Sequence, residues 1–195
     1  MISISKLKEL LSMGGAGGIA KRYMVMNSFD GSLTALGIIL GSLLADVEEP
    51  STILLAGLGA SIAMGVSGGF GAYLTEIAVK KQEMAEKEKA MLEELNDTVH
   101  DQAAQVSSIF VAIVDGISPF IAASISFMPY FFTPLLGLDI GVAYTSSIVL
   151  TAIALFVLGA YLGVISDENK VLYGLRMIVA GVVTGILVML LEFVA

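Results

Sequence analysis

The chain has 195 residues, 56% of them apolar and only 14% charged, with a formal charge of -8 and no cysteine. A mean hydropathy of +0.89 excludes an ordinary soluble domain, in which about a quarter of residues are charged. The acidic balance, with no clustered basic face or interleaved aromatics, argues against a nucleic-acid partner, and the absent cysteines exclude disulfides and thiolate ligands.

Residues 1–20 read as a unit of their own. Ile2, Leu7, Leu10 and Leu11 alternate with Lys6, Lys8 and Glu9 before a Gly-Gly-Ala-Gly-Gly run. That pattern predicts a short amphipathic helix at the membrane interface, followed by a flexible hinge. A full-length apolar stretch follows the early lysines, so the segment does not read as a cleavable leader.

Spanning the hydrocarbon takes roughly 20 helical residues. Five stretches qualify: 24–45, 52–79, 107–132, 141–165 and 171–193. All ten lysines and arginines fall in three segments: Lys6, Lys8, Lys21 and Arg22; Lys80, Lys81, Lys87 and Lys89; Lys170 and Arg176. The connections at 46–50 and 134–139 carry acids and no base. The positive-inside rule then puts the N-terminus and the basic segments in the cytosol and the acidic connections outside. The expected fold is an all-α membrane protein of five transmembrane helices. It divides into the N-terminal segment (1–20), two spans (21–79), an acidic cytosolic insert (80–106) and three further spans (107–195).

From Lys80 to Gln105 the insert contains neither Gly nor Pro, so the second span is expected to run on as a helix standing out of the bilayer. Glu83, Glu86, Glu93, Asp97 and His100 follow one another at spacings of 3, 7, 4 and 3, with Glu76 seven residues ahead. On a continuous helix they form one stripe. Carboxylates and an imidazole suit Fe(II), Mn(II) or Zn(II), and Asp97-x-x-His100 has the i, i+3 spacing by which one turn offers two ligands. The simpler reading is a solvated helix with intrahelical pairs such as Lys80/Glu83. Glu93, Glu94, Asp97, His100 and Asp101 have no base among them, and this favours a bound cation.

A charge inside a span costs several kcal/mol unless paired or hydrated. Asp30 and Asp115 each fall about one turn inside the cytosolic edge, both followed by glycine, and Glu76 reaches nearly the same depth. These three are the candidate metal carboxylates of the membrane region, with Asn27, Ser32, Thr34, Ser67 and Tyr73 as pathway-lining residues. Against this stand helix capping for the aspartates, which Pro119 favours for Asp115, and snorkelling for Glu76. Met24, Met26, Met64 and Met128 lie in or beside spans; thioether sulfur ligates Fe(II) but more often fills space, and only Met64, in a glycine-rich tract, is retained as a candidate ligand. That tract (57–71) and the Gly-x-x-x-Gly pairs at 37/41, 159/163 and 181/185 predict close helix packing.

Asn27-Ser-Phe-Asp30-Gly31-Ser-Leu-Thr-Ala-Leu-Gly37 with Gly41, then Ser67-Gly-Gly-Phe-Gly71-Ala-Tyr73-Leu74, then Pro129-Tyr130, resemble the vacuolar iron transporter family in its compact prokaryotic form. The resemblance covers nearly all of the chain after residue 20. It implies a homodimer exporting Fe(II), and Mn(II) or other divalent ions, from the cytosol in exchange for protons, with Asp30 as the transport carboxylate. Where such proteins carry Met and an acid in the second span, this chain has Gly68 and Ala60, which removes two implied ligands. With so short an insert, a prokaryotic cell membrane is the expected location. The competing reading is a membrane di-iron ferroxidase or iron-storage protein built on the insert. A single histidine means that only a dimer supplies the two Glu-x-x-His units such bundles use. A third reading, an accessory subunit, leaves Asp30 without a role.

Overall fold

In the computed structural model, which describes residues 4–92 and 99–192, the chain is α-helical: α1 (Ile4–Met13), α2 (Ala16–Leu44), α3 (Pro50–Met91), α4 (Val99–Leu136), α5 (Ile140–Ile165) and α6 (Lys170–Leu191). The helices α2 to α6 are each long and apolar enough to cross a membrane. Their outward faces carry large apolar side chains, among them Leu55, Phe70 and Leu187 at 74%, 68% and 59% exposure. Such faces suit a lipid solvent, where helices satisfy their own backbone hydrogen bonds.

The chain forms two compact units, Met1–Met24 with Gly65–Ile117 and Val25–Met64 with Ser118–Ala195. The first is held by small residues. Ala16 and Ala20 of α2, Ala72 of α3 and Val111 of α4 form its core, flanked by Leu11, Ile19, Tyr23 and Val114. Helix α1 is docked here through Leu10, 1% exposed. The expected hinge is a tight turn instead: Gly14 donates its N–H to the Leu10 carbonyl at 2.9 Å, Gly15 takes a φ of 66°, and Gly17 and Gly18 already belong to α2. A Cβ on Gly14 would lie 2.8 Å from the Ala103 carbonyl oxygen of α4. Close packing, not slack, explains that glycine.

Helices α3 and α4 cross within this unit with almost no side chain between them. A Cβ on Gly116 would lie 2.9 Å from the Gly65 carbonyl oxygen, and one on Gly69 would lie 3.2 Å from that of Ala112.

The second unit is built around Ala35, Ile39, Ile53, Ala123, Phe127, Tyr130, Ala143 and Tyr144. Gly57 lets the Phe127 ring lie directly on α3, and Gly159 and Gly163 admit the start of α6 to α5, as the Gly-x-x-x-Gly spacing predicts. Gly37 and Gly41 instead face open space. The acidic connections do capping work. Pro50 begins α3, with Ser51 Oγ donating to Glu49 Oε1 at 2.9 Å. Asp139 caps α5 through Gly141 N–H at 2.7 Å, and Asn169 caps α6 through Val171 and Leu172.

The insert departs from expectation. The second span does continue, making α3 a 42-residue helix, but it ends at Met91. Leu92 has a φ of 55°, and α4 begins at Val99. One stripe from Glu83 to His100 therefore does not exist, because Glu83 and Glu86 lie on α3 and His100 lies on α4. The residue types explain the break: Asn96, Asp97 and Thr98 favour caps and turns over helix interiors. Glu93, Glu94 and Asp97 lie outside the described residues.

Candidate metal site within the spans

Helix α4 runs without interruption through Asp115, and α2 runs through Asp30. Neither aspartate caps a helix. The glycine after each has a packing role. Gly31 leaves room for the Pro119 backbone, a Cβ there falling 2.7 Å from the Pro119 Cα, and Gly116 leaves room for Gly65. In each Asp-Gly pair the glycine makes the helix contact, and the acid is fixed one residue away from it.

In the first unit Glu76 and Asp115 are buried at 7% and 2% exposure. The Tyr23 hydroxyl faces the Glu76 carboxylate within hydrogen-bonding reach, and Asp115 is close enough to act electrostatically on the same tyrosine. Arg22 stands beside it, its guanidinium 6.0 Å from the Tyr23 ring centroid. Glu76 and Asp115 thus both act on one tyrosine, a residue that sequence reasoning passed over. Glu76 does not snorkel. Removing two carboxylates from water is expensive unless protons, cations or hydrogen bonds compensate.

Asp30 belongs to the second unit and has the opposite environment. Its side chain is exposed, on the α2 face that also carries Met26 at 51% exposure and the uncovered Gly37 and Gly41. Ser32 points inward at 0% exposure, its hydroxyl donating to the Ser28 carbonyl at 2.9 Å. Two positions along a helix differ by about 200°, so Asp30 and Ser32 cannot serve one ion together. Asn27, Thr34 and Met64 are half-buried, and Ser67 is exposed. Tyr73 lines an apolar groove of about 410 Å³ with Val66, Phe70, Ile109 and Ile113.

On the insert, Lys80 Nζ lies 3.0 Å from Glu83 Oε2, and Gln82 Nε2 donates to Glu86 Oε1 at 3.3 Å. These two acids have the ordinary partners of a solvated helix. Among the described residues no three Asp, Glu or His side chains assemble as a cation site.

Five long apolar helices whose outward faces are apolar define a multi-pass integral membrane protein. The chain belongs to the VIT family, which it matches over residues 21–113 and 76–192. It is also 33% identical over 174 residues to an uncharacterized protein of Methanocaldococcus jannaschii, covering 88% of this chain and 87% of that one. Membership implies, in general terms, the transport of iron or manganese across a membrane. The family is one of transporters.

Proposed function

We propose that the protein exports Fe(II), and Mn(II) as a second substrate, from the cytosol of a prokaryotic cell in exchange for protons, acting as a homodimer. The observation that carries this reading is the burial of Glu76 and Asp115 around one tyrosine hydroxyl inside helices of membrane-spanning length. Ionisable side chains at such depth are functional by default. Hard carboxylate oxygens match Mn(II) and Fe(II).

The basic segments at 6–22, 80–89 and 170–176 support placing the N-terminus and the α3–α4 insert in the cytosol. Acids on the insert then raise the local concentration of divalent cations. Asp30, exposed on a face of α2 that no described residue covers at Gly37 and Gly41, meets its counterpart across the dimer and exchanges water ligands for carboxylate. Protons compete with metal for the same carboxylates, which couples the two fluxes.

The test is flux in vesicles. Purified protein is reconstituted with an internal metal-quenched dye, and Fe(II), Mn(II) and Zn(II) entry is followed under an imposed pH gradient, beside Asp30→Ala and Glu76→Gln. Gradient-dependent entry of Fe(II) and Mn(II), lost in both variants, is expected. Flux that ignores the gradient would remove the proton exchange. Absence of flux from folded protein, with Fe(II) oxidation instead, would hand the function to the ferroxidase reading.

A further inference from the structure

Three hydroxyls in the core of the second unit have no hydrogen-bond partner among the described residues: Ser126 Oγ, Tyr130 Oη and Ser147 Oγ. All three residues are 0% exposed. Ser126 and Tyr130 are one turn apart on the same stripe of α4. Ser147 of α5 stands next to the Tyr130 hydroxyl, without the geometry of a direct bond. The neighbouring hydroxyls are already engaged. Tyr144 donates to the Val47 carbonyl at 2.8 Å, Thr133 to the Pro129 carbonyl at 3.0 Å and Thr151 to the Ser147 carbonyl at 2.7 Å. The unpaired set is therefore local.

A second feature lies in the same turn. Pro129 sits inside α4 between Ser126 and Tyr130 and has no N–H to give the Ile125 carbonyl, so the backbone ladder opens there. Membrane helices tolerate such a break when hydroxyls or ordered water restore the lost bonds. A buried hydroxyl with no partner is costly, and three in one core require an explanation.

We infer that Ser126, Tyr130 and Ser147 hold an internal water between α4 and α5. The ligand is water because the three groups are neutral and each both donates and accepts, which matches the roughly three bonds a buried water makes. A divalent ion would find hydroxyls alone a poor ligand set. This site is independent of the transport reading and of Glu76 and Asp115.

Radiolytic hydroxyl labelling of the full chain in nanodiscs, read by mass spectrometry on the millisecond scale, tests it. Radicals form from water in place, so a buried ring beside water is oxidised and a dry one is not. Phe127, equally buried at 0% exposure in the same core, is the internal reference. Tyr130 is expected to be modified many-fold faster than Phe127. Its rate should fall to the Phe127 level in the Ser126→Ala, Ser147→Val double variant. Tyr130 labelling at the Phe127 level in the wild-type chain, which needs no variant to fold, would overturn the proposal. Undiminished labelling in the folded double variant would overturn the assignment of the two serines.

Discussion

Gly65 and Gly116 each leave no room for a side chain on the other: the backbone carbonyl oxygen of each lies no more than 2.9 Å from where the other's Cβ would be. Replacing either with Ala forces α3 and α4 apart. Overpacking of this kind costs about 1–3 kcal/mol. Gly116→Ala should lower the thermal unfolding midpoint in detergent, while Gly59→Ala, with nothing within 4 Å, should leave it unchanged or raise it by removing a flexible helix residue. Equal effects at the two positions would mean that the crossing is not the tight contact described.

Tyr23→Phe takes the hydroxyl from Glu76 and leaves a buried carboxylate short of a donor. A loss of about 1–3 kcal/mol in unfolding free energy is expected. Under the proposed function, metal flux should also fall, and Tyr23→Phe in a Glu76→Gln background should add little to either loss. Full additivity in that double-mutant cycle would show that the two residues do not act together.

Tyr144 ties α5 to the α2–α3 connection through the Val47 carbonyl at 2.8 Å, and its ring stands edge-on to Tyr130 at 5.6 Å. Tyr144→Phe keeps the ring contact and deletes the bond. Stability should drop by about 1 kcal/mol, and amide exchange at residues 45–49 should quicken. Unchanged exchange there would show that the connection is held by other means.

A homodimer sharing the Asp30 face predicts proximity between protomers. The chain has no cysteine, so single substitutions report cleanly. Met26→Cys should form a disulfide-linked dimer in membranes on mild oxidation, and Ile153→Cys, at an equally exposed position of 53% against 51%, should not. The reverse pattern would move the interface from α2 to α5.

The Lys80–Glu83 pair, with Glu83 at 46% side-chain exposure, belongs to a class of surface ion pairs worth at most about 1 kcal/mol. Glu83→Gln should therefore leave the unfolding midpoint within measurement error. A large drop would mean that Glu83 has a partner beyond Lys80.

What the sequence made legible is what depends on local pattern. The spans follow from runs of apolar residues, and the extension of α3 past Val79 follows from a Gly- and Pro-free stretch of strong helix formers. The end of α3 at Met91 was hidden because Ala90, Met91 and Leu92 are themselves good helix formers. Only Asn96-Asp97-Thr98 hinted at it, and the stripe of acids was drawn across the break. The Gly14–Gly15 turn looked slack because four closely spaced glycines and an alanine do not reveal that Ser107 and Ala103 press against one of them. Tyr23 was missed for a different reason. It meets Glu76 through the register of two helices, which no run of neighbouring residues encodes. The available signal was that Glu76, if buried, needed a donor.

The length of α3 separates two kinds of electrostatics. At 42 residues it extends about 63 Å, roughly twice the hydrocarbon thickness. Glu86 lies ten residues beyond Glu76 on the same rod, about 15 Å away, which is nearly two Debye lengths at physiological ionic strength. Added salt therefore silences the exposed acids of the strut while barely touching the buried pair. Under the proposed function, ionic strength becomes a dial that slows the arrival of cations and leaves their binding inside the membrane intact.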